Sequence, residues 1–106
     1  MSSHDLAEKT AGLTSRVDNL VAIQTGPECR ELERQQARLE KLTLAAITAA
    51  LDESSKRYKD ALAALDAANE AIGEGDERMQ QISRIIKIVA QAADVVETLL
   101  KKAGGL

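Results

Sequence analysis

The stretch LTLAAITAALDESSKRY, Leu42 to Tyr58, decides the fold. Its first ten residues are apolar almost all round, and the four that follow, Asp52-Glu53-Ser54-Ser55, are polar. Two apolar rows meet in it. Upstream, Leu32, Leu39 and Ala46 stand seven apart, joined by Leu42 and Ala49. Downstream, Leu44, Leu51, Tyr58, Leu65 and Ile72 stand seven apart, with Ile47, Ala61 and Ala68 alongside. On one straight helix these rows point about 150° apart. Where they overlap, Leu42–Leu51 is expected to be buried on every side and to form the centre of the core.

Two architectures reconcile the rows. In the leading one, a single helix over 27–72, about 69 Å long at 1.5 Å per residue, packs a first helix against one side and a third against the opposite side. The fold class is then all-α, a bundle of three antiparallel helices with a long central helix. The alternative breaks the segment near 52–55 and folds a compact four-helix bundle. Asp and Ser cap helices well and sit poorly inside them, which favours the break. No Gly or Pro stands there, and the Leu51–Tyr58 step runs straight through, which favours continuity. Continuity is expected.

Outward from this stretch, Gly26-Pro27 and Gly73-Glu74-Gly75 are the strong internal breakers, and Gly104-Gly105 closes the end. They divide one domain, residues 1–106, into helices at about 4–24, 27–72 and 76–103. Asp5…Glu8 and Thr25…Glu28 have the spacing of capping boxes, Pro27 suits a first turn, and Asp76 can cap the third helix.

The third segment, RIIKIVAQAADVVETLLKK (Arg84–Lys102), has polar residues at Arg84, Lys87, Gln91, Asp94, Thr98 and Lys101 down one side. Its apolar residues cover an arc of roughly 160°. Lys87, Asp94 and Glu97 interrupt the 20 nearly uncharged residues that a spanning helix needs, so membrane insertion is not expected. The arc is wider than a two-stranded seam and requires more than one neighbour. A long helix that its own chain cannot cover leaves apolar strips for a partner, most simply in a two-fold dimer.

Composition agrees with helices: 44% apolar residues, 29% charged, one proline, and Tyr58 as the only aromatic. A formal net charge of −3 and the lack of stacking aromatics argue against nucleic-acid binding. MSSHDLAEKT carries no apolar run behind a basic start, so a cytoplasmic protein is expected, with export by a signal-less system as the other route.

Chemistry-bearing residues are few. His4 has no evident orienting partner, and one His with one Cys does not make a zinc site. Cys29, in a first helical turn beside Arg30, has no base; it reads as a small packing residue or, less favoured, a disulfide across a dimer. EAIGEGDE (Glu70–Glu77) lacks the spacing of a calcium loop and reads as a helix–helix turn. Arg30, Arg34, Arg38 and Lys41 interleave with Glu28, Glu31, Glu33 and Glu40, which reads as a salt-bridged surface, with contact to an acidic partner as the alternative. No catalytic, cofactor or metal residues are assigned.

The function these features support is a non-enzymatic helical interaction protein, such as an adaptor, assembly factor, chaperone or inhibitor. It would act through apolar helix faces on another protein or on itself, with a dimer favoured. The candidate interface residues are Leu44, Ile47, Leu51, Tyr58, Leu65, Ile82, Ile86, Ile88, Val89, Val95, Val96 and Leu99. The alternative is a signal-less exported or membrane-engaging helical component of a bacterial secretion or toxin system.

Overall fold

The computed structural model describes residues 4–23, 25–73 and 82–104. It contains four α-helices: α1 (His4–Ile23), α2 (Pro27–Thr48), α3 (Lys56–Gly73) and α4 (Ile82–Lys102). The expected helix over 27–72 is therefore two helices, and the compact four-helix bundle is the architecture found. Its radius of gyration is 13.4 Å, against about 13 Å for a compact chain of this length.

The break falls at 49–55 and has a local cause. Ala49 is extended, with φ −74° and ψ 142°. Three residues on, the Asp52 carboxylate accepts from both the backbone N–H and the hydroxyl of Ser54, at 3.0 and 2.6 Å. Ser55 then caps α3, its Oγ accepting the N–H of Tyr58 at 3.1 Å. Local side-chain acceptors thus replace the i→i−4 ladder, without any Gly or Pro.

The break also has a global cause. Helix neighbours are α1 with α2, α3 with α4, α2 with α4, and α1 with α3. It follows that α2 and α3 stand on a diagonal and face each other across the core. Lys9 of α1 reaches Asp66 of α3, and Arg16 lies beside Gly73, so α1 and α3 run parallel. Arg38 of α2 reaches Asp94 and Glu97 of α4, and Lys41 and Leu42 lie against Glu97 and Lys101; α2 and α4 also run parallel. Each hairpin, α1–α2 and α3–α4, is antiparallel.

Each helix buries one stripe at alternating spacings of three and four, as four-helix bundles require. On α1 it is Leu6, Thr10, Leu13, Val17 and Leu20; on α3 it is Tyr58, Ala61, Leu65, Ala68 and Ile72. On α2, Leu32, Leu39, Leu42 and Ala46 are buried, with half-buried Gln35 in the same row. On α4, Ile85, Val89, Ala92, Ala93, Val96, Leu99 and Leu100 form a wider band, packed between α2 and α3. The centre of the wide arc read from the sequence is filled by the chain itself, while Ile82, Ile86, Ile88 and Val95 at its edges stay partly exposed. Thr10 is the one buried polar residue of the described core, and its hydroxyl donates to the Leu6 carbonyl at 2.7 Å.

The helix ends differ in part from expectation. The α2 N-cap is Gly26 rather than Thr25, at φ 79° and ψ −152°, with no side-chain cap, and Pro27 follows in the first turn. Asp5 sits inside the first turn of α1, where its charge favours the helix dipole, rather than at the cap. Lys101 and Lys102 occupy the last turn of α4, and Gly104 at φ 80° turns the chain out of the helix. The expected cap Asp76 and most of the Glu70–Glu77 turn lie outside the described residues.

Candidate interaction surface

Leu42–Leu51 is not the centre of the core. Leu42 and Ala46 are buried, but Leu44 is 68% exposed and Ile47 is 61% exposed. Leu51 lies in the interhelical connection, partly buried against the core. The reason is geometric: at 100° per residue, Leu44 and Ile47 fall far from the Leu39–Leu42–Ala46 stripe. With α2 broken, its outer side receives no helix.

The other candidates divide cleanly. Tyr58, Leu65, Val89, Val96 and Leu99 are buried in the chain's own core. Ile82, Ile86, Ile88 and Val95 are partly buried against it. Val95 lines an open groove between α3 and α4 with Arg57, Asp60 and Thr98, and Ile88 lines a second with Ala67, Ala71 and Arg84. Of the twelve, Leu44 and Ile47 are the ones offered to solvent.

Leu44 forms one wall of a shallow groove of about 320 Å³ between α1 and α2, completed by Ala11, Thr14, Glu40 and Thr43. Thr14 and Thr43 turn their hydroxyls back to the carbonyls of Thr10 and Leu39, at 2.8 Å in both cases. That leaves their methyl groups to the groove, so its floor is apolar and small. The groove-forming residues of α1 escaped sequence reasoning, because nothing in a single sequence says which helix lies beside Leu44.

The α2–α4 seam is the opposite kind of surface. Arg38 donates to Asp94 and Glu97 at 2.6 Å each, and Lys101 pairs with Glu97 at 3.0 Å. Hydrogen bonds from Arg38 first and Lys101 second hold the Glu97 carboxyl below its usual range. Arg34 pairs with Glu31 at 3.0 Å. Of the basic row of α2, Arg34 and Arg38 are thus salt-bridged, while Arg30 and Lys41 are exposed without an ion pair among the described residues. Tyr58 is buried at the head of α3; burial pushes its phenol above the ordinary range, and the Glu53 charge adds to this.

Cys29 is half-buried, its thiol directed at the Val21 carbonyl at 3.7 Å. Among the described residues, no group of three or more His, Cys, Asp or Glu side chains is placed to hold a metal ion, and no helix is long and apolar enough to cross a membrane.

The fold and surface define an all-helical, four-helix bundle with an open apolar face on its first hairpin. No protein-family model, no curated protein and no solved structure matches the chain.

Proposed function

We propose that the protein is a non-enzymatic interaction module that works by offering the outer face of the α1–α2 hairpin to another protein. The observation that carries this reading is the exposure of Leu44 and Ile47, 68% and 61%, on a helix whose inner stripe is fully packed. Two large aliphatic side chains one turn apart, beside a small-residue groove, suit a hydrophobic anchor from a partner. The long uncovered helix from which a dimer was expected is two helices, and the middle of the α4 arc packs within the chain.

The test is a photo-crosslinking residue in place of Leu44, in living cells of the producing organism. A matched substitution at exposed Ala63, on α3, serves as the control. The reading expects a discrete adduct from position 44, absent from position 63 and lost when Ile47→Ser is added. No adduct, or the same pattern from both positions, refutes it.

A further inference from the structure

The connections at the two ends of α2 are of different kinds. At Gly26-Pro27, a backbone at φ 79° and a ring that blocks the preceding turn end any helix arriving from α1. At 49–55 nothing of that sort stands. Ala49, Ala50, Leu51 and Glu53 are good helix formers, and Asp52, Ser54 and Ser55 are tolerated inside helices. Side-chain contacts stop the helix there: Asp52 with Ser54 at 3.0 and 2.6 Å, and the Ser55 cap on the Tyr58 N–H at 3.1 Å. Asp52 and Ser54 are exposed, so no core packing reinforces their contacts.

On either side of 49–55 stands one hairpin. Among the described residues, the α1–α2 hairpin meets the α3–α4 hairpin through α1 with α3 and α2 with α4. The ion pairs of Lys9 with Asp66, and of Arg38 with Asp94 and Glu97, join the same two hairpins. Each of these contacts forms equally well when the second hairpin comes from another copy. A straight rod over 27–72 cannot bring its two apolar rows into one core, because they point about 150° apart. It can place each row in a core of its own, on opposite sides.

We propose that 49–55 is a hinge through which this chain exchanges hairpins with a second copy. In the exchanged pair 49–55 is helical in each copy, and α2 and α3 join into one rod. That rod is about 69 Å long at 1.5 Å per residue, whereas the long axis of the single bundle is 38 Å. Each rod serves two cores, its α2 half with α3 and α4 of the second copy, and its α3 half with α1 and α2 of the second copy. The seven-residue step from Leu51 to Tyr58, which crosses a bend in the closed bundle, then lies within one helix. Both forms bury the same inner rows, so the balance between them rests on the hinge and on concentration. Within one chain the hairpins face each other at an effective concentration of millimolar order, which keeps a dilute chain closed. Exchange of identical elements is a low-cost route to a dimer, because the contacts already exist.

Asp52→Ala with Ser55→Ala removes the stops and raises helix propensity across the hinge. Loss of a cap shifts a helix equilibrium about fivefold, and a dimer contains the hinge twice, so the Ser55 change alone favours exchange about 25-fold. Parent and double variant are unfolded in urea, refolded at about 100 µM and sized by light scattering. The double variant is expected to be largely dimeric and the parent monomeric. Exchange itself is read by crosslinking. In a Cys29→Ser background, Lys9→Cys and Asp66→Cys put thiols where the α1 and α3 side chains meet at 2.6 Å, and a short bis-maleimide joins them. On a denaturing gel a closed bundle then runs as a single chain, and an exchanged pair runs as a covalent dimer. Ala50→Pro is the blocking variant. Ala49 already has the extended backbone that precedes a proline, so the closed bundle is expected to keep its fold, while a helix through residue 50 is forbidden.

A covalent dimer from the double variant, lost when Ala50→Pro is added, supports the hinge. A double variant that stays monomeric at that concentration overturns it. So does a dimer whose crosslinked chains run singly, or one that forms as readily with Ala50→Pro, since association is then through a surface with the hinge still bent. If the double variant does not fold, the parent refolded at about 2 mM, near the effective concentration within one chain, is crosslinked in the same way. Single chains alone on that gel overturn the proposal.

Discussion

Leu42 and Leu44 are two residues apart on one helix, and the bundle assigns them opposite fates. Leu42 is 2% exposed and Leu44 is 68% exposed. Truncating Leu42 to Ala removes buried methyl groups and leaves a cavity, which costs about 2–5 kcal/mol. Taking about 3 kcal/mol, and roughly 4–8 °C per kcal/mol for a domain near this size, the melting temperature should fall by roughly 12–24 °C. Leu44→Ala forfeits about a third of the roughly 2 kcal/mol that full burial of a leucine contributes. It regains some of that through the higher helix propensity of Ala. Its net cost should stay below about 0.5 kcal/mol, or less than roughly 4 °C. The assay is urea unfolding followed by circular dichroism, with both variants required to share the parent's m-value so that the midpoints compare directly. Similar costs for the two would mean that Leu44 is covered, as a continuous helix over 27–72 demands, and would refute the broken-helix bundle. A larger cost for Leu44 would invert the assignment of the α2 faces.

Three further outcomes follow from single contacts. Ser55→Ala removes the acceptor for the Tyr58 N–H and should cost about 1 kcal/mol in the same assay, whereas Ser55→Asp should keep the cap. Gly26→Ala forces a side chain onto a backbone at φ 79° and ψ −152°, a region essentially restricted to glycine. A loss of at least about 1 kcal/mol is expected, and no loss would place the α2 start elsewhere. Glu97 is held below its usual range, so the unfolded chain binds its proton more readily than the folded one. The stability it contributes is complete above its unfolded value, about 4.3, and is lost as pH falls through the lower folded value. Wild type should therefore lose more stability between about pH 5 and 3 than Glu97→Gln does, and parallel pH profiles would show that the Arg38–Glu97 contact does not persist in solution.

Much of the fold was legible along the chain. The α4 band, the α3 row from Tyr58 to Ile72 and the inner α2 row from Leu32 to Ala46 appear in the structure at the expected residues. So do both ends of the bundle's long axis, marked by Gly26-Pro27 and Gly104. The continuity of α2 and α3 was misread because the evidence for it, a seven-residue step from Leu51 to Tyr58, is a one-dimensional pattern. The step survives whether the chain between runs as a helix or crosses the bundle. The Asp52–Ser54–Ser55 contacts that stop the helix use residue types that also occur inside helices, so composition alone did not decide between them.

The candidate surface was legible only in part. Leu44 and Ile47 were among twelve candidate interface residues, but they also belonged to a stretch, Leu42–Leu51, that was expected to be buried on every side. Their exposure depends on which helices flank α2, and that is a property of the packed molecule. The ion pairs between helices are similar. Lys9 and Arg38 are interleaved with acids along the sequence, and only the positions of α3 and α4 decide that they meet Asp66 and Glu97.

By itself, then, the sequence determined three amphipathic rows, their helical period and several of the helix ends, because these depend on propensity and spacing within a few residues. The tertiary structure decided that α2 and α3 face each other on a diagonal. Two apolar rows pointing about 150° apart on one rod can share a single core only if the rod is broken between them. The chain turns at 49–55 to bring them face to face, and the same turn leaves Leu44 and Ile47 outside.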